Sequence, residues 1–266
     1  MRFRVLFVAF NVVLLISFLL IFLMPGFVLG WDYSTVFWQS NWPVAAVFVA
    51  VLFSLNLYFV LNWRVFSLLE TEAWEELTDY LEKQMEQKKR ITRGRARILI
   101  NAYVVSGRID RITDLEHFLR EHQPDTVPRL AMELGVPHLL SKDADEMADY
   151  FAELVAEPKT AQPLWVRWSY GFALMSQTKL DEAHAQLRAV LDESNDLLLQ
   201  PLAAHMLEPF GTRDEQTSIR VRETKQKLAT KYRPERLARE LEKGRQSLHV
   251  LVIASRIEDA HRWIFE

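Results

Sequence analysis

The first 63 residues contain two long runs of apolar side chains that few polar residues interrupt. Residues 5–24 include only Asn11 and Ser17 as polar members, and residues 44–61 include only Ser54 and Asn56. A helix rises about 1.5 Å per residue, so each run is long enough to cross a bilayer core of about 30 Å. The pattern predicts a transmembrane hairpin over residues 1–63, with spans at about 5–24 and 44–62. A cleaved signal peptide is the alternative for the first run, although its apolar stretch is longer than such peptides usually have.

The distribution of charge predicts the orientation of this hairpin. Arg2 and Arg4 precede the first span, Arg64 follows the second, and the connecting residues 25–43 contain Asp32 but neither Lys nor Arg. By the positive-inside rule, we expect a multi-pass protein of a bacterial inner (cytoplasmic) membrane with both termini in the cytoplasm. Aromatic rings favour the headgroup layer, so we expect the connector to lie along the outer interface through Phe27, Trp31, Tyr33, Phe37, Trp38 and Trp42.

Asn11 and Asn56 form a candidate polar pair within the membrane. Each lies about six residues from the cytoplasmic end of its predicted span. In an antiparallel hairpin they would lie at similar depth, where a hydrogen bond between them would join the two helices. Neither span contains an ionisable residue, which argues against an ion or substrate pathway.

From residue 70 onward the apolar positions recur every three or four residues, and no segment alternates for long as a strand does. This periodicity predicts an all-α fold. Four amphipathic helices begin with equivalent positions at Leu77, Ile112, Ala148 and Ala183, spaced 35, 36 and 35 residues apart. A period near 34 residues with two helices per period is the tetratricopeptide spacing. One such helix pair cannot bury its own apolar face, so neighbouring pairs stack.

Residues 64–210 therefore resemble the tetratricopeptide repeat (TPR) family, of the membrane-anchored type with two N-terminal transmembrane helices. The best repeat, 164–195, has a small residue in its first helix and the family's turn sequence before its second, carried by Gly171, Leu174, residues 179–183, Leu187 and Val190. Residues 93–124 match through Leu99, Tyr103, Gly107 and Pro124. The resemblance implies a TPR-like α-solenoid with C-terminal capping helices over residues 211–266. The last turns of this segment are apolar, and an exposed docking helix is the alternative to a cap there. A generic helical bundle or another α-solenoid is the alternative.

In the TPR family, residues of the first helices face a groove that binds a protein partner. The resemblance places Arg97 and Asn101 where some members have half of a clamp for a peptide carboxylate. It places Trp165, Trp168 and Phe172 in the groove of a later repeat, where aromatic rings are typical of sites for an apolar helix or peptide. The alternative is that these three rings fill the core between repeats.

A cluster of cations follows the first amphipathic helix: Lys88, Lys89, Arg90, Arg93 and Arg95. Close to the cytoplasmic membrane face, such a cluster would attract anionic lipid. The alternative is a solvated turn whose cations favour the C-terminal end of a helix dipole.

Composition and motifs argue against catalysis. The chain of 266 residues has no cysteine and a net charge of −3, which excludes thiolate chemistry and argues against a dedicated nucleic-acid binder. It contains no HExxH, Walker, GxGxxG or GxSxG sequence, and we expect neither enzyme activity, nor a cofactor, nor a metal, nor a small-molecule substrate. The sequence thus favours a membrane-anchored scaffold that docks a protein partner. The alternative is a structural or assembly subunit that binds other membrane proteins through its hairpin.

Overall fold

A computed structural model describes residues 3–212 and 214–266 of the chain; Arg2, one of the cations that predicted the orientation, lies outside them. The described residues form helices and turns with no strand, so the all-α prediction is confirmed. They divide into two compact units, Met1–Tyr80 and Leu81–Glu266. The segment 211–266, expected as a separate cap, belongs to the second unit together with residues 81–210.

The first unit is an antiparallel helical hairpin. Helix α1 runs over Phe3–Leu29 and helix α2 over Trp31–Glu70. Both are long and apolar enough to span a membrane, within Phe7–Met24 and Thr35–Glu70. Their apolar side chains are largely exposed, as at Val13 (61%) and Val60 (68%). A helix buried in a protein core would not leave such side chains open to water.

The connection between the two helices is a single residue. The chain turns at Gly30 alone, whose φ of 90° suits a residue without a Cβ atom, and α2 continues through Pro43. Phe37 and Trp38 lie against the buried Phe22, with ring centroids 6.2 and 5.3 Å away. Residues 25–43 are therefore helical apart from Gly30, and their placement along the outer interface stays a prediction.

Thirteen further α-helices follow in the described part of the chain, with three short 3-10 helices among them. They are α3 (Trp74–Lys88), α4 (Arg93–Val105), α5 (Asp110–His122), α6 (Ala131–Leu134), α7 (Val136–Leu140), α8 (Ala144–Ala156), α9 (Pro163–Ser176), α10 (Leu180–Glu193), α11 (Leu199–Leu207), α12 (Glu215–Lys231), α13 (Pro234–Gly244), α14 (Leu248–Val252) and α15 (Ala254–Phe265). Helices α3, α5, α8 and α10 contain the four equivalent positions of the sequence near their starts. Between α5 and α8 the chain is broken into short pieces, because the prolines at 124, 128 and 137 remove backbone donors.

The C-terminal helices pack back onto the rest of the second unit. Helix α15 contacts α11, α12 and α13, and α14 contacts α6 and α7. Ile257 on α15 is fully buried, as are Leu187 on α10 and Phe151 on α8. One continuous core therefore includes both the helices before residue 211 and those after it.

Candidate functional site

The two membrane asparagines are bonded to each other. Asn56 Nδ2 donates to Asn11 Oδ1 at 2.7 Å and also to the Leu52 carbonyl of its own helix at 2.9 Å. Asn11 Nδ2 donates to the Phe7 carbonyl at 3.0 Å. This is the geometry that equal depth along two antiparallel helices predicts. Because the pair uses its polar groups within the hairpin, it has little need of a polar partner from another protein.

We expect substitution of Asn56 with leucine to destabilise the hairpin by about 0.6–2 kcal/mol, since Asn11 then loses its interhelical partner in an apolar medium. Reversible unfolding in mixed detergent micelles measures this loss. Asn41 is a matched control, because its Nδ2 donates to the Phe37 carbonyl of its own helix. An equal loss in the Asn41→Leu variant would show that the interhelical bond contributes nothing.

The aromatic residues predicted to line a groove are packed inside the second unit. Trp168 is fully buried, and Trp165 is 8% exposed. The ring of Trp168 stacks on that of Phe172, with centroids 5.6 Å apart and planes within 4°. The alternative that these rings fill a core therefore describes them better than a ligand groove does.

The C-terminal helices cover this aromatic face. The ring of His249 lies 5.0 Å from that of Trp165, and the Arg256 guanidinium lies over Phe172 at 4.4 Å. Burial lowers the pKa of His249 to about 4, so its imidazole is neutral at pH 7. What remains beside Trp165 is a recess of about 530 Å³, whose border combines apolar side chains with polar groups that include Gln162 and Asp196. The expected groove at Trp165, Trp168 and Phe172 is therefore filled by the chain itself.

Arg97 and Asn101 do not form a carboxylate clamp. Arg97 Nε donates to Glu133 Oε1 at 2.7 Å, so a carboxylate of the same chain already occupies the guanidinium. Asn101 is exposed on the same helix, α4. The sequence could not show this, because the partner of Arg97 lies 36 residues away.

The basic cluster is open to solvent, apart from one member. Lys88, Lys89, Arg90 and Arg93 are exposed in the turn between α3 and α4. Arg95 is half-buried, and its guanidinium donates to Gln84 Oε1 at 2.6 Å. Arg95 therefore borders the cluster as a fixed side chain, and four cations remain on its open surface.

A buried ionic network joins α5 to α7 and α8. Glu116 is 5% exposed; one of its oxygens lies 2.9 Å from His138 Nε2 and the other accepts from Arg120 Nε at 2.8 Å. Arg120 also reaches the exposed Glu153, at 2.7 Å. Burial opposes ionisation of Glu116, but the bonds from His138 and Arg120 outweigh it and lower its pKa. The Tyr150 ring stacks on His138 at 4.2 Å, so the network is enclosed and holds the three helices together.

An open apolar groove lies between α13 and α15, in the segment that the sequence predicts to be a cap. It has a volume of about 490 Å³, and its apolar lining consists of Pro234, Ala238, Leu241 and Phe265. Phe265 is 38% exposed, whereas Leu241 is 5% exposed at the base. The rim carries charges of both signs, among them an ion pair between Arg245 and Glu258. The apolar last turns were visible in the sequence, but their position beside α13 depends on packing between distant helices.

Comparison with known proteins identifies relatives in one genus. The family described as "Uncharacterised Treponema protein" matches residues 111–266. An "Uncharacterized protein" of Treponema pallidum (strain Nichols) is 24% identical over 231 residues, which cover 82% of this chain and 74% of that protein. No solved structure matches the chain significantly.

These matches overturn the resemblance to the TPR family, which is wrong. The 35-residue spacing of helix starts is real, but spacing alone does not specify a family. The pieces over 124–140 interrupt one expected repeat, and the C-terminal helices cover the face that a TPR groove would leave open.

Proposed function

Because this chain belongs to the Uncharacterised Treponema protein family, whose match lies entirely within the second unit, we propose that the second unit is the working part of the protein and the hairpin its anchor. In this proposal α1 and α2 span the inner membrane, and both termini lie in the cytoplasm. The length and apolar surface of both helices and the charge asymmetry of the sequence support that placement.

The proposed activity is non-catalytic docking of a protein partner at the cytoplasmic face. The open apolar groove between α13 and α15 is the observation that carries it. Neighbouring helices of the second unit pack in chain order from α8 to α11, as in an α-solenoid, and this arrangement would hold the groove on a rigid support.

The groove fits a segment of protein better than a small molecule. Sites for small molecules enclose most of the ligand surface, whereas this groove is open along one side. Its base of Ala238 and Leu241 accepts one large apolar side chain, and Phe265 offers a ring against which that side chain packs. Charges of both signs at the rim, Arg245 and Glu258 among them, suit the polar flanks of an amphipathic segment.

The recess beside Trp165 is a weaker candidate for this role. Its border includes Gln162, Ser194, Asn195 and Asp196, so an apolar side chain entering it would remove polar groups from water. The groove between α13 and α15 has no such cost at its base. We therefore assign docking to the latter.

Substitution of Ala238 with arginine tests the assignment. The long charged side chain would fill the groove, and we expect it to abolish capture of the partner. The experiment purifies full-length protein in mild detergent and identifies bound proteins by mass spectrometry. Ala229→Arg is the matched control, because Ala229 is exposed on α12 and receives the same charge outside the groove.

A partner bound by the wild type and by Ala229→Arg, but lost from Ala238→Arg, would support the proposal. A partner retained by Ala238→Arg contradicts it. Exchange of residues 1–63 for an unrelated hairpin then tests the alternative function, a structural or assembly subunit that binds through its hairpin. Loss of the partner on that exchange would assign the protein to the structural or assembly subunits that bind through the membrane, despite the internal bonding of Asn11 and Asn56.

A further inference from the structure

The turn between α3 and α4 concentrates unneutralised positive charge. Lys88, Lys89, Arg90 and Arg93 are all exposed, and none of them belongs to an ion pair among the described residues. Several other cations of the second unit are paired with carboxylates, as Arg97 is with Glu133. These four cations form a charged patch that the fold itself does not use, and we call it the 88–93 patch.

A recess beside the 88–93 patch has the chemistry of an anion site. It has a volume of about 290 Å³. Lys88, Arg90, Thr92 and Arg95 border one part of it, and the apolar Leu81, Met85 and Ile91 border another. Thr92 Oγ1 caps α4 by accepting from the Arg95 amide, so the recess lies at the positive end of that helix dipole. Arg95 is held in place by Gln84. The recess therefore fits a phosphate group with few side-chain rotations to restrict.

We propose that the 88–93 patch binds the headgroups of anionic phospholipids. The inference rests on the membrane anchoring in the proposed function, because an anchored chain is already confined to a lipid surface. Lys88 follows Glu70, the last residue of α2, after only one helix, α3. Four cations this near in sequence to a spanning helix are the typical pattern of a juxtamembrane lipid contact.

A lipid surface engages the patch better than a free anion does. A single phosphate in the recess would meet at most Lys88, Arg90 and Arg95, because Lys89 and Arg93 do not border it. An anionic bilayer presents many headgroups and meets all the exposed cations together. Each cation near such a surface strengthens the contact about fivefold at moderate ionic strength. High salt removes this gain, because it shortens the range of the attraction.

A fluorophore placed beside the 88–93 patch tests the proposal in the full-length chain. The chain has no cysteine, so Gln87→Cys on α3 provides one exposed labelling position. An environment-sensitive label is attached there, and the protein is reconstituted into nanodiscs of phosphatidylcholine with or without phosphatidylglycerol. We expect phosphatidylglycerol to shift the emission to shorter wavelength and to reduce quenching by acrylamide at least about twofold, and high salt to reverse both.

Two quadruple alanine variants show whether the response to phosphatidylglycerol depends on the 88–93 patch. Alanine at Lys88, Lys89, Arg90 and Arg93 should abolish the response to phosphatidylglycerol. The matched control removes four exposed cations elsewhere in the second unit, Lys142, Arg222, Lys227 and Arg233, and should keep the response. All eight side chains are exposed, so neither variant removes packing from the core.

Three results would overturn the proposal. Equal quenching in the two kinds of nanodisc would show no preference for anionic lipid. The same protection from inorganic phosphate added to phosphatidylcholine nanodiscs, at equal ionic strength, would make a free anion the ligand. Loss of the response in the control variant would show that the response is not specific to the 88–93 patch. Failure of the chain to enter nanodiscs at all would instead overturn the anchoring on which both proposals depend.

Discussion

Replacement of Trp168 with alanine will lower the free energy of unfolding by about 3–5 kcal/mol, the usual cost of deleting a fully buried large aromatic side chain. The variant loses the stacking on Phe172 and leaves a cavity on the face of α9. In a unit of this size the loss corresponds to a Tm about 10 °C lower. Thermal unfolding of the full-length protein in detergent, followed by far-UV circular dichroism, measures it.

Phe265→Ala is the control for this experiment. The ring of Phe265 is 38% exposed, so we expect its removal to cost less than about 1 kcal/mol. The two variants should affect different properties. Trp168→Ala should lower the stability, whereas Phe265→Ala should keep the stability and weaken docking of the partner. If the Trp168→Ala variant were as stable as the wild type, the core interpretation would be contradicted and the aromatic residues of α9 would again be candidates for a ligand groove.

Replacement of Glu116 with leucine will destabilise the second unit by about 3 kcal/mol, because it leaves His138 and part of Arg120 buried beside an apolar side chain. Glu153→Leu is a matched control, since Glu153 pairs with the same Arg120 but its side chain is 59% exposed. A surface ion pair of that kind contributes less than about 1 kcal/mol. Denaturation by urea in detergent compares the two variants. Equal destabilisation would show that burial of the Glu116 pair has no special weight.

The contribution of Glu116 also sets a dependence on pH. Its folded-state pKa is lowered from the ordinary 4.5, so the unfolded chain takes up the proton first as the pH falls. The stabilisation is fully present above about pH 4.5 and is lost as the pH falls through the lower folded-state value. The difference in stability between the wild type and Glu116→Leu should therefore shrink with acidification below pH 4.5. A constant difference across this range would contradict the ionised pair.

Periodicity along the chain was sufficient to predict where several helices of the second unit begin, but not that residues 234–266 form three helices and not one. The helix starts at Asp110, Ala144 and Leu180 follow from the amphipathic pattern. The break near Val136 follows from Pro137 beside it. Composition did not show that residues 31–43, which are expected at the outer interface, form the first turns of α2. A local pattern shows that such rings avoid water, and it does not show whether lipid or a neighbouring helix covers them.

The function of a side chain was harder to predict where its partner lies far along the chain. One face of α9 carries Trp165, Trp168 and Phe172, and the sequence of this helix is the same whether that face lines a groove or fills a core. The contacts of His249 and Arg256, which come from distant helices, show that it is covered. Arg97 likewise resembled part of a clamp in the sequence, whereas in the structure its guanidinium is paired with Glu133. The bond between Asn11 and Asn56 could be anticipated, because the hairpin fixes their relative depth. The groove at Phe265 depends on α13 and α15 together and has no local signature.

The most direct test of the docking groove is a photo-crosslinking residue at position 238, incorporated into the full-length protein in living cells. We expect a discrete adduct with one partner protein on illumination, and no such adduct from the same residue at position 229 on α12. Absence of an adduct from position 238, or the same adduct from both positions, would contradict docking between α13 and α15.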